Sequence, residues 1–318
     1  MKVGIFGAAG YTGGEMIRLL IRHPETEILF AHSRTFAGQP VWQAHPDLFG
    51  ETDLTFSTQP DAKAELVFFC LGHGESPELL RQYPWLMDKY LIDLSQDHRI
   101  NGAHAFVYGL PEVNKSAICN ARFIANPGCF ATGLQLALLP LAKDGLLPQS
   151  IYAHGITGST GAGQSLTETS HFSWRNQNHS AYKTLQHQHL IEVQQTLQQL
   201  QPDGKVRLHF QPQRGSFSRG IFLSLQLEAD PELDLNSLYQ DYYAASAFTH
   251  ICPFPLSLKQ VVNTNKCLLH LHREKEQVVI TACLDNLLKG ASGQAVQNMN
   301  LMKNWPEYTG LQLKANAY

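Results

Sequence analysis

Lys2-Val3-Gly4-Ile5-Phe6-Gly7-Ala8-Ala9-Gly10-Tyr11-Thr12-Gly13, continued by Gly14-Glu15-Met16-Ile17-Arg18-Leu19-Leu20 and closed by His23-Pro24, is the stretch that decides the fold. Residues 2–6 are short and apolar on both faces, the pattern of a strand inside a parallel sheet. The run after them has helical spacing, and His23-Pro24 predicts its end. Gly7, Gly10 and Gly13 fall between the two as G-x-x-G-x-x-G. Glycine permits a tight turn and close backbone approach there, and the helix N-terminus attracts a pyrophosphate. The strand before and the helix after turn a weak glycine pattern into a dinucleotide signal; an ordinary strand–turn–helix junction is the competing reading.

Working outward, strands are predicted at 27–31 (EILFA), 65–70 (ELVFFC) and 91–94 (LIDL), with helical stretches between them. That alternation argues for α/β, a doubly wound Rossmann-type parallel sheet. An NAD-binding fold usually carries an acid about 20 residues past the glycines for the ribose 2′-hydroxyl. Here the second strand ends in Ala31-His32-Ser33-Arg34 instead. Ser33 and Arg34 suit a 2′-phosphate, which favours NADP(H) over NAD, unless Arg34 is simply a solvated surface residue.

Ala125-Asn126-Pro127-Gly128-Cys129-Phe130-Ala131-Thr132 places a cysteine after an apolar run, on a Pro-Gly turn, where a helix begins. A thiol in that position sits at the positive end of the helix dipole, which favours the thiolate and suits a nucleophile. The competing reading is a buried Cys acting as a small hydrophobe. The helix is read from Thr132 to Leu139, and Pro140 is expected to limit it. Beyond it, residues 206–210, 221–227 and 277–282 alternate apolar with polar, which predicts a mostly antiparallel sheet with one face exposed. Residues 293–302 are helical again and are expected to rejoin the first domain. The expected organisation is a Rossmann-type NADP domain of residues 1–128 and 293–318, with an α+β catalytic, substrate and oligomerisation domain of residues 129–292.

Composition sets bounds on the activity. The chain has 318 residues, enough for two domains. At 43% hydrophobic and 16% charged, with formal net charge −3, it has the balance of a soluble globular protein without attraction to nucleic acid or acidic lipid. It begins directly in a strand, so no signal peptide is expected, and no apolar run approaches the about 18 residues of a membrane span. The six cysteines, at 70, 119, 129, 252, 267 and 283, form no CxxC and no Cys/His cluster. That predicts reduced thiols, a cytoplasmic protein and no metal site.

A thiol attacking an acyl carbon benefits from an imidazole. Among 15 histidines, His187-Gln188-His189 stands at or just before a helix in which Leu190, Val193, Leu197 and Leu200 recur at helical spacing. Glu192 is within reach of orienting either ring, and spacing alone does not choose between His187 and His189. Two further loops are polar. Ile92 to Arg99 follows a strand, where sites on open sheets gather, and Arg99 suits an anion. Gly155 to Gly163 is glycine-rich and either lines a ligand or is a plain connection.

These residues together resemble the N-acetyl-γ-glutamyl-phosphate reductase family, related to aspartate-semialdehyde dehydrogenases. The likeness runs nearly end to end: GAAGYTGGE at 7–15, LIDLSQDHR at 91–99, YGLPEVN at 108–114, NPGCFATG at 126–133, GSTGAG at 158–163, HQHLIEV at 187–193, RGI at 219–221 and DNLLKGASGQAVQNMN at 285–300. The resemblance implies Cys129 as nucleophile and His187 as general acid/base, with His189 in reserve and Glu192 in support. It implies Arg99 and Asn126 at the substrate's phosphate. It places NADP(H) on Gly7, Gly10, Tyr11, Thr12 and Gly13, with Ser33 and Arg34 at the 2′-phosphate and Gly158, Ser159, Gly161 and Asn286 on the nicotinamide side.

The chain departs from the family pattern at His98, at Phe130-Ala131, at Gln188 and at Ile191, none of which removes the nucleophile or the imidazole. The resemblance implies reduction of N-acetyl-γ-glutamyl phosphate to the semialdehyde, in arginine biosynthesis, through a cysteine thioester. Inorganic phosphate is the other small-molecule partner, and a homo-oligomer is expected. An N-succinyl-glutamyl, N-acyl-aminoadipyl or aspartyl phosphate is the rival substrate. A non-catalytic NADP-sensing protein is the rival of another class; a cysteine hydrolase leaves the glycine loop unexplained.

Overall fold

The computed structural model describes residues 1–316. It divides into two units, Met1–Pro127 with Ala291–Gln312, and Gly128–Gly290 with the chain from Leu313.

In the first unit β1 (Lys2–Phe6), β2 (Glu27–His32), β3 (Leu66–Phe69), β4 (Tyr90–Asp93), β5 (Val107–Tyr108) and β6 (Phe123–Ala125) form one sheet in the order β2-β1-β3-β4-β6-β5. Every pairing in it is parallel. All four residues of β3 are buried, as expected for a strand covered on both faces. Phe6 meets Phe30 and Phe69 edge-on, with ring centres 5.4 and 6.0 Å apart, a favourable geometry for aromatic pairs. The helices α1 (Tyr11–Leu20), α2 (Ser76–Gln82) and α3 (Pro111–Cys119) connect the strands. After β2 the chain crosses β1 to form β3 on its other side. The carboxyl ends of β1 and β3 therefore flank the switch point, where ligands bind in such sheets.

The second unit opens with α4 (Cys129–Lys143) and continues through β7 (Ser150–Thr157), α5 (Phe172–Arg175), β8 (Ser180–Ala181), α6 (His189–Leu200), β9 (Arg207–Arg214), β10 (Ile221–Glu228), α7 (Leu235–Tyr243), β11 (Thr249–Ile251), β12 (Cys267–Glu274) and β13 (Gln277–Leu284). Its sheet runs β11-β12-β13-β10-β7-β9-β8. The pairs β7–β9 and β11–β12 are parallel and the other four antiparallel, so the sheet is mixed with an antiparallel majority. In β10 the side chains of Ile221, Leu223, Leu225 and Leu227 are buried and alternate with half-buried or exposed neighbours, of which Phe222 packs against Cys252, Val261, Leu268 and Cys283. α4 packs against β10, β12, β13, α6 and α7, and every residue from Phe130 to Ala142 is buried. The chain then forms α8 (Gly293–Met302), all ten residues buried, which belongs to the first unit.

Pro140 does not end α4, contrary to the sequence expectation. The helix continues to Lys143. Proline costs a helix the hydrogen bond to the carbonyl four residues earlier. That carbonyl, Leu136, accepts instead from the Tyr243 hydroxyl, and Ala137 accepts from the Tyr239 hydroxyl at 2.7 Å. Two tyrosines of α7 thus supply donors where the proline removes one.

Candidate active site

The glycine loop leaves β1 at Gly7, whose φ of +72° is a left-handed conformation that side chains disfavour. A Cβ there would stand 2.1 Å from the Cys70 carbonyl, and one at Gly13 would stand 2.5 Å from the Gly7 carbonyl. Gly10 is the N-cap of α1; no side chain caps this end and no acid lies in the first turn. Among the described residues, its leading N–H groups are thus left to an anion rather than to a carboxylate of the chain. The Thr12 side chain bonds the buried Cys70 thiol, its carbonyl accepts from the Ser292 hydroxyl at 2.9 Å, and Tyr11 is partly exposed. Ser33 is buried at the end of β2, and its hydroxyl accepts from the Phe36 N–H at 3.2 Å. The Arg34 side chain is 87% exposed and lies 3.9 Å from Glu75, an exposed pairing worth little. The cradle fits a dinucleotide, and Arg34 is held too loosely to be withheld from a phosphate.

The strand-end loop 93–99 holds a buried polar network in the same unit. His98 Nδ1 donates to Asp93 Oδ2 at 2.7 Å, Ser76 Oγ donates to Asp93 Oδ1 at 3.0 Å, and the His98 ring stacks on Phe106 at 4.0 Å. The next residue, Arg99, is buried; its Nε donates to the Asn126 carbonyl at 2.8 Å and an Nη to the Leu94 carbonyl at 2.6 Å. The structure therefore brings Arg99 and Asn126 together. The Asn126 amide group donates to the Ala291 carbonyl and accepts from Asn298, each at 3.1 Å.

In the second unit Cys129 is the first residue of α4, half-buried, with Gly128 as an N-cap that has no capping side chain of its own. A Cβ on Gly290 would stand 2.8 Å from the Cys129 Cβ, so this glycine is what lets the backbone pass the cysteine. Glu192, in the first turn of α6, accepts the Gly128 N–H at 3.0 Å. Both histidines are buried. His187 meets Phe130 edge-on at 5.4 Å and His189 at 4.6 Å. Burial, helped by the charge of Lys183, pushes the His187 imidazole down to about 4, so the ring is neutral at physiological pH. Its Nδ1 accepts from the His189 backbone N–H at 3.2 Å, which leaves the ring proton on Nε2.

The glycine-rich loop after β7 is fastened rather than free. Asn286 accepts from the Gly220 N–H at 2.7 Å and donates to the Thr160 hydroxyl at 3.0 Å. The Gly158 N–H reaches the Gly220 carbonyl and the Ser159 N–H the Phe217 carbonyl, while Gly161 lies against Thr157. Arg219 and Asp285 form a two-pronged ion pair at 3.1 and 3.2 Å beside this junction. Gly158, Ser159, Gly161 and Asn286 thus lie together. A cavity of about 640 Å³ is lined by Leu166, Glu168, His171 and Trp174 rather than by Cys129 or either histidine.

The chain matches two family models, the semialdehyde dehydrogenase NAD binding domain over residues 2–121 and the semialdehyde dehydrogenase dimerisation domain over 129–286. It is 51% identical to the N-acetyl-gamma-glutamyl-phosphate reductase of Phocaeicola vulgatus over 321 aligned positions, covering all of both chains. The chain belongs to the N-acetyl-gamma-glutamyl-phosphate reductase family. Further family members of that name, from Bacteroides fragilis and Christiangramia forsetii, are 50% and 48% identical over their full lengths. Solved structures share the fold. Aspartate semialdehyde dehydrogenase II of Vibrio cholerae, complexed with ASA, is 18% identical with a TM-score of 0.72, covering 95% of this chain and 98% of that one. The aspartate semialdehyde dehydrogenase of Candida albicans with NADP is 14% identical with a TM-score of 0.70, covering 95% and 98%.

Among the described residues, no helix is long and apolar enough to cross a membrane. Sequence reasoning missed three side chains of the second unit: Tyr182, Arg214 and Arg175. The Tyr182 ring is edge-on to His187 at 5.7 Å, and the Arg214 guanidinium lies 4.8 Å over that ring. Burial raises the Tyr182 phenol, the nearby Cys129 raises it further, and Arg214 opposes both through its charge and a hydrogen bond to the phenol oxygen. Only the chain's return as β8 against β9 assembles this group, and no local spacing announces it.

Proposed function

We propose that the chain reduces N-acetyl-γ-glutamyl phosphate to N-acetylglutamate semialdehyde, with NADPH as reductant and a thioester on Cys129. The observation that carries this reading is Cys129 on the first turn of α4, beside a neutral, buried His187. The helix end favours the thiolate. The thiolate attacks the acyl carbon, the carbon–oxygen bond to the phosphoryl group breaks, and phosphate leaves with the electron pair. NADPH, when bound, supplies hydride to the thioester carbonyl. His187 presents its Nε2–H to the oxygen as negative charge develops on it; His189 is the alternative donor. The carbon–sulfur bond then breaks, releasing the aldehyde and restoring the thiolate.

Arg99 is assigned to the leaving phosphate through guanidinium N–H groups other than the two bonded to carbonyls, and Asn126 holds the turn that Arg99 braces. Gly7, Gly10, Tyr11, Thr12 and Gly13 would hold the pyrophosphate, Ser33 and Arg34 the 2′-phosphate, and Gly158, Ser159, Gly161 and Asn286 the nicotinamide side. The dimerisation-domain match, with Leu166 and Phe172 exposed on the second unit, supports a homo-oligomer. Six free thiols suit the reducing cytoplasm.

The test is Cys129→Ser, which should abolish phosphate-dependent oxidation of the semialdehyde while NADPH binding persists. Retained turnover would sink the assignment. In the wild type, iodoacetamide at pH 7 should label Cys129 ahead of the others. The Cys70 and Cys283 thiols are buried and pushed up to about 12, and burial raises Cys252 as well.

A further inference from the structure

Two guanidinium groups lie together in the second unit with no acid to balance them. Antiparallel pairing of β8 with the end of β9 sets Ser180 opposite Arg214. Arg175 is buried beneath this corner. It donates to the Arg214 carbonyl at 2.9 Å, to the Thr169 carbonyl at 3.2 and 3.3 Å, and to the Ser180 hydroxyl at 3.4 Å. Burial and then the like charge of Arg214 lower its pKa. Arg214 itself covers the Tyr182 ring, and its Nε is shielded from solvent without a hydrogen-bond acceptor. Among the described residues neither guanidinium forms an ion pair. Glu168, beside Thr169, is exposed and also makes none, and Lys183 adds a further positive charge close to His187. Paired cations without a counter-ion are costly to desolvate, and such a cost in a site marks a place where an anion binds.

We infer that Arg214, backed by Arg175, is the subsite for a carboxylate group of the substrate. One aromatic ring separates it from the reaction centre, because Tyr182 carries Arg214 on its face and has His187 at its edge. The phosphoryl group is linked through oxygen to the carbon that Cys129 attacks and is assigned to Arg99, whereas a carboxylate sits elsewhere on the substrate. The planar guanidinium fork also matches the two oxygens of a carboxylate. The inference rests on the proposed acyl-phosphate reduction. Its carboxylate has two sources, the α-carboxylate of the glutamyl group or the free end of a dicarboxylic N-acyl group.

The experiment assays wild type, Arg214→Leu and Arg214→Lys for NADPH oxidation with N-acetyl- and N-succinyl-γ-glutamyl phosphate. Reverse assays with the semialdehyde and NADP⁺ vary inorganic phosphate. Arg214→Leu should raise KM for the acyl phosphate about 10- to 100-fold, the loss expected for one charge-assisted contact. Arg214→Lys should recover part of that, with kcat and the KM for inorganic phosphate nearly unmoved and NADPH binding intact. A rise with both substrates supports the α-carboxylate, and a rise confined to the N-succinyl substrate supports the acyl carboxylate. Unchanged KM for both, a change in kcat alone, or a rise in the KM for inorganic phosphate overturns the inference. Absence of wild-type turnover overturns the reductase reading and this inference with it; wild-type turnover insensitive to the substitution overturns this inference only.

Discussion

Glu192 accepts the backbone N–H of Gly128, the residue immediately before Cys129, at 3.0 Å, across 64 residues of sequence. An acid in the first turn of α6 thereby fixes the first turn of α4. The sequence reading assigned this carboxylate to an imidazole, and the bond also gives it a hold on the backbone next to Cys129. Glu192→Ala strands a buried donor, a change that costs about 1–3 kcal/mol. Urea unfolding should register that loss, while Glu192→Gln, which keeps a carbonyl acceptor, should lose less than half as much. The alanine variant should also lose kcat, because the sulfur is no longer held in attacking position. Equal stability of all three proteins would show that the bond is idle.

Tyr243 answers the deficit that Pro140 creates. Its hydroxyl donates to the Leu136 carbonyl, the group that has no donor at position 140. Tyr243→Phe removes the donor without changing the packing ring, so the expected cost is about 1–2 kcal/mol. Tyr239→Phe, whose hydroxyl also reaches a carbonyl of α4, should cost a comparable amount. A stability change confined to Tyr239→Phe would contradict the role given to Tyr243.

The first unit was legible because its signals are local. Residues 2–20 contain a strand, a loop and a helix in one uninterrupted run, and each predicts the next. Cys129 was legible for the same reason, since the turn and the helix it opens are contiguous. What escaped was decided by partners far along the chain. Pro140 reads as a helix end until Tyr243 is seen to supply the missing donor. Glu192 reads as a partner of the nearby histidines, and its acceptor role at Gly128 appears only in the fold. Arg214 closes a strand in an unremarkable Gln-Pro-Gln-Arg-Gly run, and only the fold lays it on Tyr182. Sequence spacing reports neighbours within a helix or strand, and these three contacts lie between elements.

The loop glycines should not respond alike to substitution. A Cβ on Gly13 would stand 2.5–2.6 Å from the backbone of Gly7 and Ala8, which cannot swing aside. At Gly10 the nearest atom is 3.5 Å away, an ordinary contact, and the residue is extended. Gly13→Ala should therefore lower the melting temperature and abolish NADPH binding together. Gly10→Ala should fold normally and lose NADPH affinity only through the closer approach that its methyl denies the pyrophosphate. Calorimetry of both variants, with and without NADPH, separates the two outcomes. Matching melting temperatures would remove the steric argument.

His187 makes stability depend on pH in a defined direction. Burial first, then Lys183, depresses its folded-state value from 6.5 to about 4. Between those values the unfolded chain binds a proton that the folded chain refuses, so unfolding is favoured as pH falls. The contribution is fully present above about 6.5 and disappears progressively as pH drops toward 4. From pH 7 to pH 5 this one group should remove about 2 kcal/mol of stability. His23, His32 and His250 are also lowered, chiefly by burial, and steepen the same slope. His187→Asn keeps an acceptor for the His189 N–H and cannot titrate. Urea unfolding of this variant at pH 5 and pH 7 should show a gap smaller than that of the wild type by about 2 kcal/mol. An undiminished gap would mean that the imidazole is already charged in the folded protein, which would also remove the neutral Nε2–H donor from the proposed chemistry.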